Sequence, residues 1–210
     1  MIESIISVWE SQQLSIRTIQ HLSMFSTALI LSIIFGISLG IIVFYHKKTA
    51  SILFNLLNII ETIPTIALLI VLLPLFGLGS APTITACILY SLLPIARNTH
   101  TGLSSVDKKY IDIAKGLGLS KTDELRKIRI PLAFPLMIGG IRIAVVFTMG
   151  IITLGGLIAA GGLGAAIQSG LSLYKFDVIL VAGLWVGLLS VIFDAVAGGI
   201  EMYLKRRMST

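Results

Sequence analysis

Residues 22–45 contain no charged side chain, and that run limits the choice of fold more than any other feature of the chain. A helix of about 20 apolar residues, rising ~1.5 Å per residue, crosses the hydrocarbon of a bilayer. This run is long enough to do so. Four further apolar segments follow: 50–77, interrupted by Asn58, Glu61 and Pro64; 81–99; 130–158, with Arg142 inside; and 176–203, holding Asp194 and Glu201. Inside lipid a backbone must satisfy its own N–H and C=O groups, which leaves helices or closed barrels. Segments of this length predict an all-α, polytopic membrane protein with about five spanning helices. A sixth span follows if 50–77 is two shorter helices broken at Pro64. Composition agrees: 56% of residues are hydrophobic, 12% are charged and mean hydropathy is +0.99, where a soluble domain carries about 25% charged residues. The organisation expected is an interfacial segment over 1–21, one membrane domain over 22–204 and a basic tail over 205–210.

The basic residues set the orientation. Lys47 and Lys48 follow the first span. Arg97, Lys108, Lys109, Lys115, Lys121, Arg126, Lys127 and Arg129 follow the third, and Lys205, Arg206 and Arg207 follow the fifth. Of the 16 lysines and arginines only Arg17, Lys175 and Arg142 fall elsewhere. By the positive-inside rule the N-terminus faces out and the C-terminus faces the cytoplasm. The net charge of +6 therefore reads as topology, and no nucleic-acid partner is expected. Ile2, Ile5, Ile6, Trp9, Ile16 and Ile19 recur at roughly helical spacing, which fits an amphipathic helix at the outer interface; a frayed tail is the alternative. Glu3 and Glu10 and the lack of a basic start argue against a cleaved signal. The single Cys87 and the scattered His21, His46 and His100 offer neither a disulfide framework nor a metal site.

Several residues within the spans call for a role. Ser32, Gly36 and Gly40 share a face of the first span, and Gly183 and Gly187 share one in the fifth. Such small residues let helices pack closely. Glu61, Arg142 and Asp194 are ionisable groups in hydrocarbon, which is costly unless they are paired or hydrated. Glu61-Thr62-Ile63-Pro64 puts a carboxylate beside a helix-breaking proline, so Glu61, Thr62, Pro64, Arg142 and Asp194 are candidate path residues. The competing reading is a structural ion pair, with Arg142 as the partner of Glu61 and with Asp194 capping a neighbouring helix or pairing with a basic loop. The stretch Gly155 to Gly164 is too glycine-rich for a good helix. It is expected to form a turn or re-entrant piece near the outer mouth, with Gly161 and Gly162 on the path. Gly162-Leu163-Gly164 lacks the third glycine and the preceding strand of a nucleotide-binding turn.

The segment 100–130 is long and charged. Tyr110, Ile113, Ala114 and Leu117 fall on one helical face and Gly118 ends the run. Ser120 suits the N-cap of a second short helix, with Asp123 and Glu124 near its positive end, and Pro131 closes the stretch. Two short helices on the cytoplasmic face would make a docking surface; an ordinary solvated loop is the alternative.

Asp112-Ile113-Ala114, then Gly118, then Ile128-Arg129-Ile130-Pro131-Leu132 resembles the Glu-Ala-Ala loop of ABC importer permeases. Asp112 stands where that pattern has Glu, and Ile113 stands where it has the first Ala. His21-Leu22, Glu61-Thr62-Ile63-Pro64-Thr65, Leu92-Leu93-Pro94-Ile95-Ala96-Arg97-Asn98-Thr99 and Leu157-Ile158-Ala159-Ala160-Gly161-Gly162-Leu163-Gly164 look like the permeases of glycine betaine, carnitine and choline importers. The resemblance covers nearly the whole chain. It implies a type I ABC importer transmembrane fold, like that of the methionine-importer permeases. It also implies that Asp112, Ala114, Gly118, Leu119 and Pro131 belong to a coupling loop docked on an ATPase subunit.

No Gly-x-x-x-x-Gly-Lys-Ser/Thr run is present, so the resemblance assigns ATP and Mg²⁺ to the partner ATPase, with no cofactor in this chain and no catalysis by it. Residues 159–175 are too few to fold as a receptor. The other expected partners are a second permease chain, an extracytoplasmic solute-binding protein or lipoprotein, and membrane lipid. The expected mechanism is alternating access, driven through 107–130. Few aromatics lie in the spans, and no cage for a quaternary ammonium can be read from their spacing. The alternatives are an importer permease for another small solute, such as an amino acid or thiol betaine, and an ion-coupled carrier or channel using Glu61 and Asp194.

Overall fold

The computed structural model describes residues 2–208, and those residues are helical almost throughout. Helix α1 (Ile2–Ser11) is followed by α2 (Leu14–Tyr45), α3 (Lys47–Thr62), α4 (Thr65–Phe76) and α5 (Ser80–Ser104). Then come α6 (Lys108–Gly116), the four-residue α7 (Lys121–Glu124), α8 (Ile130–Gly155), α9 (Gly162–Ser172) and α10 (Phe176–Met208). A π-helical turn, Leu125–Arg129, joins α7 to α8, and a 3₁₀ turn, Gly156–Ile158, ends α8.

Among the described residues three helices are long and apolar enough to cross a membrane: Leu14–Tyr45, the continuous run Lys121–Ile158, and Phe176–Arg207. A fourth span arises only if α3 and α4 act together, and they meet at 101°. Taken singly, neither fits a bilayer: at ~1.5 Å per residue their 16 and 12 residues reach about 24 Å and 18 Å. The bend follows from the sequence. The residue before a proline avoids the α region, so Ile63 is extended (φ −70°, ψ 127°) and α3 stops at Thr62.

Helix α5 has the length of a span, 25 residues, but carries Thr83, Thr85, Ser91, Arg97, Asn98, Thr99 and His100. Its environment explains the polarity. Helices α2, α3, α4 and α8 surround it, and Thr83, Ser91 and Thr99 are fully buried. It is the protein-wrapped centre of the bundle, so its side chains need not match lipid. Ser91 Oγ meets Thr148 Oγ1 of α8 at 3.4 Å. Small residues let α2 approach: a Cβ on Gly36 would stand 2.7 Å from Ile95, and one on Gly40 would stand 2.6 Å from Thr99. The packing expected of Gly36 and Gly40 is thus present. Gly183 and Gly187 differ, because nothing lies within 4 Å of a Cβ built on either. Within this chain they pack nothing.

Three other local expectations change. Residues 14–21 belong to α2, not to an interfacial segment, because the chain turns at Gln13 (φ 50°). Helix α1 lies against α10, with Trp9 edge-on to Trp185 at 5.2 Å. Gly162 and Gly164 sit inside α9 despite their low propensity. Contact geometry overrides propensity there: a Cβ on Gly164 would stand 2.0 Å from the Thr153 carbonyl oxygen, and one on Gly156 would stand 2.2 Å from Gly164. Only glycines let α9 cross the end of α8 so closely.

Candidate functional site

Two features draw attention, one at the basic end of the bundle and one along α8. At the basic end, Asp107 caps α6, its carboxylate accepting from Lys109 N at 2.9 Å. Ile111 and Ala114 are buried against the bundle. Tyr110, Ile113 and Leu117 are 41%, 60% and 75% exposed, so α6 offers an uncovered apolar ridge. Asp112 is exposed on the same helix. Helix α6 ends in a Schellman motif: Leu119 N–H donates to the Ala114 carbonyl at 3.0 Å and Gly118 N–H to the Lys115 carbonyl at 2.9 Å. Gly118 takes the left-handed conformation (φ +73°) that the motif demands.

Ser120 then caps α7 as expected, accepting from Asp123 N at 3.1 Å. The expected separate second helix does not form. Helix α7 runs through the π turn straight into α8. Pro131 lacks an N–H and so leaves the carbonyl four residues earlier without its helical donor; the wider π turn lies at that point. It also places residues five apart on one face, which brings Arg129 Nε to Glu124 Oε1 at 2.7 Å. The same guanidinium donates to the Leu103 carbonyl at 2.9 Å and lies 4.9 Å from the centre of the Phe44 ring. One side chain thereby ties the foot of α8 to α7, to the end of α5 and to the end of α2.

Along α8, Leu136, Gly139, Ile143, Val146, Phe147, Gly150 and Leu154 form a stripe at helical spacing that opens on two cavities. One, of about 370 Å³, is lined by Glu61, Thr65, Tyr90, Phe147, Gly150 and Leu154, among others. The Tyr90 hydroxyl donates to the Ile63 carbonyl at the α3–α4 break. The other cavity, about 470 Å³, shares Val146 and Phe147 with the first and adds Asn98, Arg142, Asp194 and Glu201. There Arg142 grips Asp194 with two parallel bonds, Nε–Oδ1 at 2.7 Å and Nη2–Oδ2 at 2.9 Å. Glu201 lies 3.6 Å away on the other side and is held by Lys205 at 2.6 Å. Arg142 is therefore the partner of Asp194, not of Glu61, and Asp194 neither caps a helix nor meets a basic loop. The bidentate match of guanidinium and carboxylate across α8 and α10 explains the preference.

A family model described as "Binding-protein-dependent transport system inner membrane component" matches residues 32–210. The chain belongs to that family. Curated relatives point the same way. The glycine betaine/carnitine/choline transport system permease protein OpuCB of Bacillus subtilis (strain 168) is 38% identical over 88% of this chain and 85% of its own. The choline transport system permease protein OpuBB of the same organism is 35% identical over 91% and 88%. The osmoprotectant import permease protein OsmW of Salmonella typhimurium is 38% identical over 84% and 85%. Among solved structures, a chain of the MetNI methionine ABC transporter in an inward-facing conformation superposes with a TM-score of 0.80 at 20% identity, covering 93% of this chain and 98% of that one. A chain of an amino acid ABC transporter with histidines gives 0.74 at 16%, covering 95% and 98%. These two likenesses establish the fold. The chain is a multi-pass integral membrane protein and a transport-system component.

In this transport component the residues singled out from the sequence fall into three places. Asp112, Ala114, Gly118, Leu119 and Pro131 gather in and around α6 and the foot of α8. Glu61 lines one of the two cavities, and Arg142 and Asp194 line the other, which shares Val146 and Phe147 with it. Thr62 is exposed and bonds back to the Ile59 carbonyl at 2.7 Å, and Pro64 serves the bend. Gly161 and Gly162 line neither cavity; they form a corner against α2, where Gly162 N–H donates to Gln20 Oε1 at 3.1 Å. Sequence reasoning gave Arg129, Tyr90 and Phe147 no individual role. Arg129 entered as topology charge and as one letter of the Ile128–Leu132 pattern, without a partner; the available signal was Glu124, five residues earlier, next to a proline-disturbed helix start.

Proposed function

We propose that this chain is the permease subunit of an ATP-driven ABC importer for a small compatible solute, a quaternary ammonium osmoprotectant such as glycine betaine, carnitine or choline. The observation that carries the reading is the agreement of three curated relatives, each covering most of the chain, on osmoprotectants or their choline and betaine members. The coupling element supports the importer part. Helix α6 offers Tyr110, Ile113 and Leu117 uncovered, and Arg129 binds the adjoining turn to the bundle. ATPase subunits dock there and hydrolyse ATP with Mg²⁺; this chain performs transport and no chemistry. Five spans, with α5 enclosed by protein and α3–α4 as one broken crossing, put the N-terminus outside and the C-terminus in the cytoplasm of the plasma membrane. A second permease chain faces the α8 stripe across the path, and a receptor outside delivers the solute.

The test is uptake of radiolabelled glycine betaine, carnitine, choline and methionine into proteoliposomes holding the chain with its co-expressed ATPase and receptor. ATP-dependent accumulation of the first three and not the fourth is expected. Uptake that continues when the ATPase partner cannot hydrolyse ATP would overturn the importer reading. ATP-driven uptake of methionine alone would overturn the choice of solute.

A further inference from the structure

Glu61 is a carboxylate in the last turn of α3, beside the break at Pro64. Among the described residues it accepts no hydrogen bond and has no cationic nitrogen within 4.0 Å; Arg97 attracts it only through space, and the contacts of the nearby basic groups lie elsewhere. Arg97 donates to Asn58 Oδ1 at 3.1 Å and lies over Phe54 at 5.6 Å. Arg142 is held by Asp194. A carboxylate inside a membrane protein requires a cation or water, and the cavity beside it has room for one. At about 370 Å³ it lies in the range of small-molecule sites. Its other walls suit one kind of cation. Tyr90 presents a ring whose hydroxyl is already committed to the Ile63 carbonyl, which fixes the ring. Phe147 reaches the cavity from α8, and Gly150 leaves open space: nothing lies within 4 Å of a Cβ built there. Aromatic faces and a carboxylate attract a cation that offers no N–H donors, because the rings replace hydration without hydrogen bonds.

We propose that the Glu61–Tyr90–Phe147 cavity is a transit site for a quaternary ammonium group within the permease. That the group belongs to the transported solute rests on the osmoprotectant reading above; the cation chemistry rests on the cavity. A conducting site must hold its cargo weakly enough to release it, so millimolar affinity is expected.

The experiment is equilibrium binding of radiolabelled tetramethylammonium to the assembled transporter in nanodiscs, without receptor and without nucleotide. Saturable binding is expected, competed by choline but not by 3,3-dimethyl-1-butanol, its uncharged carbon analogue. Glu61→Gln should weaken it about tenfold and Phe147→Leu severalfold, with the thermal unfolding midpoint kept in both. The site is refuted if no saturable binding occurs, if Glu61→Gln binds as the parent does, or if the neutral analogue or potassium ions compete equally. Uptake measured on the same preparation separates the two readings. Intact tetramethylammonium binding with no uptake of betaine, carnitine or choline refutes the solute assignment and keeps the site. Normal uptake in every variant with no tetramethylammonium binding refutes the site alone.

Discussion

At the scale of single residues, Gly118 and Arg142 make opposite demands. Gly118 has open space around it, with nothing within 4 Å of a Cβ, yet its φ is +73°. Its constraint is conformational, and a non-glycine residue there costs about 1–2 kcal/mol. Gly118→Asn should keep most ATP-driven uptake, since Asn tolerates this conformation. Gly118→Val should lose most of it while the protein still inserts and assembles; equal rates in the two variants would rule out a conformational role. Arg142 is constrained by charge. Removing it leaves Asp194 unpaired in the membrane, whereas removing both leaves nothing uncompensated. Arg142→Met with Asp194→Leu should therefore melt at a higher temperature than Arg142→Met alone, and strictly additive losses would contradict the pairing. The sequence reveals that Arg142 needs a partner but not which one. Glu61 and Asp194 are equally plausible in a string of letters, and only the rotation of α8 against α10 selects Asp194. Tyr90 and Phe147 are illegible for the same reason, because they meet Glu61 through tertiary packing between elements far apart in sequence.

At the scale of elements, local chemistry decided most boundaries. Ile63-Pro64 ends α3, Ser120 starts α7, and Gly118 ends α6. Each rests on a stereochemical rule acting within a few residues, so each could be read in advance. Helix α9 could not, because glycine propensity argues against it and the Cβ-free crossing of Gly156 and Gly164 argues for it. The two small-residue faces also look alike in sequence and differ in use. A Cβ on Gly40 would meet Thr99 Cβ at 2.6 Å and the Ala96 carbonyl oxygen at 2.8 Å, so Gly40→Val should cost about 1–3 kcal/mol through overpacking. Gly183→Ala meets nothing within 4 Å and should cost no stability. Thermal unfolding in detergent distinguishes the two, and equal effects would show that α2 does not pack on α5 as described.

At the scale of the whole molecule, polar groups gather along one side. Asn98, Arg142, Asp194 and Glu201 line the cavity that adjoins Glu61's along α8. The exposed side of α2 shows Ile30, Ile34, Phe35 and Ile42 instead. Lipid suits the second face and not the first, so a second copy or a sister permease should cover the α8 stripe. The only native thiol, Cys87, is buried, which leaves a clean background for cross-linking. Where a second copy covers the stripe, Val146→Cys should form an inter-subunit disulfide under mild oxidation in membranes, and Ile34→Cys should not; the reverse pattern would place the interface on α2. The unbroken run Lys121–Ile158 then takes on a mechanical meaning. Its 38 residues extend ~57 Å, held near one end by Arg129 at the π turn and at the other by the glycine corner. From Arg129 to Ile158 the arm is ~44 Å, so a tilt of roughly 5° about the Arg129 foot would swing the far end by about 4 Å. A small rocking of the loop would thus be magnified, by leverage alone, into a displacement of several ångströms at the opposite end of the bundle.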